Sequence, residues 1–143
     1  MADVTAIVLT DAAETPVGGT PAATNRTFNP KVVSKDLVTY RNDAELTYLG
    51  QPELTLGNRV PTGTNGNYKA SMRLKLPVLE VLSAGVNGIT PGPTLAYTLT
   101  ANLDVIIPSR ATYDERYDLA AMLADAINET AVKGLIRDMD LPH

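Results

Sequence analysis

The chain has 143 residues, 44% of them hydrophobic and 20% charged, which is ordinary globular composition for one domain and excludes a disordered polymer. It has no cysteine, which excludes a disulfide framework and a thiolate metal site, and its one histidine is the terminal His143, a poor place for a general base. The formal charge of -4 argues against a nucleic-acid binder when averaged over the molecule, yet phosphate contacts need cations only on the contacting face.

The acids are segregated: Asp114, Glu115, Asp118, Asp125, Glu129, Asp138 and Asp140 all fall in the C-terminal third. With no Trp and a single Phe, Phe28, any core must be aliphatic and thin, and a thin sheet in a small domain tends to seek partners. The opening Met-Ala-Asp-Val-Thr has neither a cationic nor an apolar leader region, and no apolar run approaches the ~20 residues of a membrane span. The protein is expected to be made and kept in a cytoplasm, away from membranes.

In chain order, Val4 to Thr10 is rich in β-branched side chains and predicts a first strand. Asp11 to Arg26, dense in Ala, Thr, Pro and Gly, predicts a long hairpin tip. Thr27 to Val33 predicts a short strand, and Pro30, which cannot donate to a ladder, suits it to a sheet edge. Asp36 to Arg41 alternates weakly. Glu53 to Asn58 alternates clearly, with Leu54 and Leu56 to one side and Thr55, Gly57 and Arg59 to the other. Pro61 to Asn67 is turn chemistry, and its Asn65-Gly66 is the strongest hairpin signal in the chain.

The strand that follows, Asn67 to Pro77, places Tyr68, Ala70, Met72, Leu74 and Leu76 on one face and Asn67, Lys69, Ser71, Arg73 and Lys75 on the other. Its polar positions hold three cations and no acid, although the chain carries more acids than bases. Such a face points to a negative partner. For an arbitrary sheet the commoner explanation of alternating cations is a solvated surface.

Val78 to Leu82 is apolar, and Ser83 to Thr94, with its Gly, Pro and Asn, predicts a long loop of interfacial or functional kind. Leu95 to Ile107 alternates again, with Thr98, Thr100, Asn102, Asp104 and Ile106 on the polar side. From Thr112 the period becomes 3.6. Thr112-Tyr113-Asp114-Glu115 fits a capping box, and Leu119, Met122, Leu123, Ala126 and Ile127 draw an apolar helical stripe. A break near Asn128 is followed by a second stripe of Val132, Leu135, Ile136 and Met139.

The expected fold class is α+β: an N-terminal β-hairpin and antiparallel sheet, then two C-terminal helices. A single domain over 1–143 is expected, with a hairpin at 1–34, a sheet at 35–108 carrying the loop 78–94, and helices at 112–140. Two helices totalling ~25 residues, at ~1.5 Å rise per residue, have to cover about five strands. Helices exchanged across a two-fold dimer solve that problem. The first-helix acids have neither a His partner nor a Gly-rich loop, so they predict dipole-favoured N-terminal carboxylates, with no catalysis, cofactor or metal.

The order of these elements resembles the coat proteins of single-stranded RNA bacteriophages, the leviviruses, in particular the Qbeta type. The resemblance is carried by Phe28-Asn29-Pro30-Lys31, by Asn67 to Lys75 before Pro77, by Ala101 to Val105 followed by Ala111-Thr112, and by Tyr117 to Ala124. It implies a homodimer with sheets joined edge to edge and helices interlocked across the outer face, assembling into an icosahedral T=3 shell. It also implies that the inner sheet face binds viral single-stranded RNA, including a stem-loop whose occupancy represses translation, and that a maturation protein is a partner.

Carried over by position, the RNA-binding set is Thr55, Gly57, Arg59, Asn65, Asn67, Lys69, Ser71, Arg73, Lys75, Thr100, Asn102 and Asp104, and the dimer interface is Leu119, Met122, Leu123, Ile127, Val132, Leu135 and Ile136. Thr100 stands where well-studied members have a base-stacking tyrosine, and the cysteines that crosslink the long loop in the Qbeta type are missing. A non-assembling dimeric RNA-binding regulator and a tail or scaffold component without nucleic acid are the alternatives.

Overall fold

The computed structural model describes residues 4–11, 24–80, 82–83, 85, 88–89, 91–139 and 141. Within them six strands, β1 (Ile7–Thr10), β2 (Asn25–Val33), β3 (Leu37–Arg41), β4 (Glu53–Arg59), β5 (Asn67–Glu80) and β6 (Thr94–Pro108), precede two helices, α1 (Tyr113–Asn128) and α2 (Thr130–Asp138). The strands follow sequence order in one antiparallel sheet, so each neighbour is the next segment of chain. The α+β expectation is met, and each of the six strands falls on a segment singled out in the sequence. No described helix is long and apolar enough to cross a membrane.

The chain forms two compact units, 1–60 with 69–106 and 61–68 with 107–143. In the first, register explains the core. Ile7 lies opposite Phe28, Tyr40 opposite Leu54, Leu54 opposite Leu74, and Val38 opposite Leu56, so these side chains share one face. Phe28, only 1% exposed, is buried with Tyr40 and Leu54, and Ile7, Leu9, Val38, Leu56 and Leu74 pack against them. Three buried hydrophobic side chains among the described residues form a small core, as expected, but the expectation that it be aliphatic is corrected: Phe28 and Tyr40 supply two of the three, because β2 and β3 place them beside Leu54 of β4.

The expected edge position for Thr27 to Val33 is corrected: β2 lies between β1 and β3. Pro30 is tolerated because β2 changes partner along its length. Residues 25–28 pair with β1, whereas 29–33 pair with β3 across an irregularity between Pro30 and Val32. Pro30 is therefore past the β1 ladder, where no β1 carbonyl waits for its missing N–H. Pro77 repeats this solution in β5, beyond the last β4 pairing of Glu53 with Lys75. The strand continues to Glu80, so the predicted loop is shorter at its start, and Thr94 already belongs to β6.

Two connections are built by side chains. At the base of the first hairpin, Asp11 accepts the Thr24 N–H at 2.6 Å and the Arg26 guanidinium at 2.8 Å, which holds its carboxyl below the usual range; the predicted tip at 12–23 lies outside the described residues. Between β3 and β4, the buried Asn42 accepts the Ala44 N–H at 2.9 Å and Arg41 stacks 4.3 Å over the Tyr48 ring.

The second unit holds the turn before β5 and both helices. Asn65-Gly66 is used there, but without a left-handed glycine. Gly66 closes a turn on the Gly63 carbonyl at 3.3 Å and is required because a Cβ would strike the Pro61 ring. Thr112 caps α1 as expected: its hydroxyl accepts the Glu115 N–H at 3.3 Å, and the Glu115 carboxylate accepts the Thr112 N–H at 2.8 Å, which lowers the Glu115 pKa. The extended Glu129 separates α1 from α2, and Met139 ends α2 in the left-handed region at φ 54°.

Candidate functional site

The β4–β5 register decides which polar side chains share a surface. Glu53 lies opposite Lys75, Thr55 opposite Arg73, Gly57 opposite Ser71, and Arg59 opposite Lys69. Because directly opposed residues point the same way, the two predicted rows form one face, opposite to that of Leu54, Leu56, Met72 and Leu74. At Gly57 a Cβ would sit 2.7 Å from the Ser71 Oγ, so the missing side chain is what lets that hydroxyl lie across the strand, within 3.5 Å of the Gly57 carbonyl.

On β6, Asp104 is tied to this surface by an ion pair with Lys69 at 3.2 Å, and Thr100 and Asn102 share its parity along the strand. Thr100 is exposed and so is Asn102's neighbour Ala101. Asn65 and Asn67 belong to the second unit, one in the turn and one opening β5, and the β4–β5 ladder stops at Arg59 and Lys69 before reaching either.

Residues that alternation alone does not reveal extend the surface. Arg41 lies opposite Glu53, Thr39 opposite Thr55, and Asn29 opposite Arg41, so β3 continues the polar rows and β2 adds Asn29, while Val32 stands opposite Thr39. The weak alternation of β3 hides them in the sequence; counting back by two from Thr55 finds Glu53. The face is thus not free of acids, although its β5 row from Asn67 to Lys75 is. Glu53 accepts Arg41 Nη2 at 3.1 Å and Lys75 Nζ at 3.4 Å, and Lys31 pairs with Asp43 at 2.6 Å. Burial raises the Glu53 pKa, but Arg41 and Lys75 together outweigh it and hold the carboxyl ionised below its usual range. Arg59 and Arg73 are exposed and have no ion pair among the described residues.

The helical stripe behaves differently. Leu123 and Val132 are partly buried, Leu119, Ile127 and Leu135 keep 39–46% of their surface exposed, and Met122 and Ile136 are 71% and 72% exposed; no residue of either helix is fully buried. Along β6, Leu95, Tyr97 and Leu99 are exposed too. A soluble chain rarely leaves so much apolar surface open unless another molecule covers it.

Comparison with known proteins decides the family. The levivirus coat protein family matches residues 2–142. The chain belongs to the levivirus coat proteins. This coat protein is a structural capsid component and not an enzyme, and building a particle means that its copies associate with one another. Solved structures share its fold: a virus-like particle of bacteriophage ESE058 at 22% identity and TM-score 0.84, covering 99% of this chain and 100% of that one. The bacteriophage EMS014 coat protein matches at 26% identity and TM-score 0.73, over 99% and 100% of the two chains, and the bacteriophage GA capsid protein at 20% and 0.68, over 96% of each. No curated protein matches the sequence.

Proposed function

We propose that the coat protein packages viral single-stranded RNA on the polar face of β4, β5 and β6, and that its apolar sheet face is sealed by helices of a second copy. The observation that carries the RNA role is the in-register surface of Arg59, Lys69, Arg73 and Lys75 interleaved with Thr55 and Ser71, with Asn102 on the neighbouring β6. Cations supply phosphate contacts and salt-dependent affinity, while hydroxyls and amides suit the unpaired bases of a stem-loop. Asn65, Asn67 and Thr100 complete the set. A hydroxyl at Thr100 cannot stack on a base, so hairpin recognition, and with it translational repression, relies on hydrogen bonding at that position.

The exposed stripe of Leu119, Met122, Leu123, Ile127, Val132, Leu135 and Ile136 supports a homodimer with interlocked helices, from which a T=3 shell is built in the bacterial cytoplasm, with a maturation protein as a further partner. The domain plan of hairpin, sheet and paired helices then acts as one coat subunit over 1–143.

Expression followed by electron microscopy tests assembly: closed particles with RNA absorbance are expected, and discrete dimers would instead favour the regulator. Lys69→Ala with Arg73→Ala should lower RNA affinity and flatten its salt dependence by roughly 0.7 in log–log slope for each phosphate no longer neutralised, with the dimer intact by gel filtration. Unchanged binding would remove the assigned face.

A further inference from the structure

The polar face is not a uniform cationic carpet. At one level Arg41, Glu53 and Lys75 lie side by side on β3, β4 and β5, with the carboxylate engaged from both sides. At the far end of the ladder Lys69 meets Asp104. Between these acid-bearing levels lie Thr39, Thr55 and Arg73, and then Leu37, Gly57 and Ser71, and no acid stands in either of those two rows.

We propose that Glu53 and Asp104 are resident counter-anions that make the face selective, reserving Lys75 and Lys69 for RNA whose shape delivers phosphates to them and withholding both from arbitrary polyanions. This rests on the RNA-binding function proposed above and deepens it, assigning Asp104 to regulation of the surface in place of a direct base contact.

The two acids work differently. Glu53 has one oxygen on Arg41 and the other on Lys75 and is largely shielded from solvent, so it cannot swing aside when a phosphate reaches Lys75. The incoming charge meets a fixed like charge and gains only where other contacts hold it in place. Asp104 has a single ion pair among the described residues and half of its side chain in solvent, so it turns away at little cost but still repels a loosely held strand. A polyanion without a matching shape is left with Arg73 and Arg59.

The test uses subunits released from purified particles and a labelled single-stranded oligouridine titrated across a salt series. Asp104→Asn and Glu53→Gln should each tighten oligouridine binding roughly three-fold, the effect of removing one like charge about 6 Å away in a solvent-screened site. Each should also steepen the log–log salt slope by about 0.7, as one more lysine releases counterions to solution on binding.

Arg73→Ala distinguishes failure of the counter-anions from failure of the RNA face. If Arg73→Ala weakens oligouridine binding while both acid variants keep wild-type affinity and slope, or bind less tightly, the counter-anion role is overturned and the RNA face stands. If Arg73→Ala changes nothing, the RNA face itself is wrong. Asp104 is exposed, so its variant remains informative should Glu53→Gln prove poorly folded.

Discussion

The sheet and the helices solve the same problem, an amphipathic element that must hide one side, in opposite ways. The sheet hides part of its apolar face within the chain, where Phe28, Tyr40 and Leu54 meet across adjacent strands whose connections along the sequence bring them together. The helices hide little: α1 has a complete capping box and α2 a well-formed apolar stripe, yet neither fully buries a residue. Local signals are sufficient to start and stop a helix, but its stability in a protein comes mostly from packing that stripe. The difference separates a face that the chain covers itself from a stripe that it leaves open.

That contrast is disturbed most severely from the sheet side. Phe28→Ala, which empties the centre of the buried cluster, should cost about 3–5 kcal/mol and be seen as a large fall in the denaturation midpoint at every protein concentration. On the helix side, Met122→Asp with Ile136→Asp should weaken self-association by roughly 10–100-fold, about 1.4–2.8 kcal/mol, read by sedimentation as disappearance of particles. Its melting temperature should fall and lose the concentration dependence that association gives the wild type. If this double variant melts and assembles like the wild type, the helical stripe is an ordinary exposed surface.

A smaller effect sharpens the contrast. Thr112→Ala removes one side of the capping box and should cost about 1 kcal/mol in thermal unfolding, without altering the sheet core. Acid reaches both regions most gently. The carboxyls of Glu53 and Glu115 are held below their usual pKa, one by Arg41 and Lys75 against burial, the other by the Thr112 N–H. A carboxyl depressed on folding contributes stability above its unfolded pKa and loses it as pH falls through the folded one. Melting should therefore be flat near neutrality and decline as pH falls through the ordinary carboxylate range and below it, and Glu115→Gln should remove the helical share of that decline.

Much of this was legible in the residues. Alternation over 53–58 and 67–76, the turn-rich 61–66 and the capping box at Thr112 are local signals, and each yielded its element. The polar row from Thr55 to Lys75 was legible because strand parity is unaffected by what lies alongside. The place of Pro30 was hidden for a reason no single strand contains: β2 changes partner at that point, and only the pairing shows that a proline there has no β1 neighbour to serve.

What the sequence determined by itself is therefore the set of elements, their faces and the surplus of cations on β5, because these depend on neighbours a few residues apart. What only the tertiary structure decided is how those cations are used. Register brought Glu53 between Arg41 and Lys75, and set Asp104 against Lys69 across the sheet, leaving Arg59 and Arg73 on the same face without an ion pair among the described residues. Charge balance at a surface is a property of residues adjacent in space, and here those neighbours are up to 35 positions apart along the chain, as Lys69 and Asp104 are.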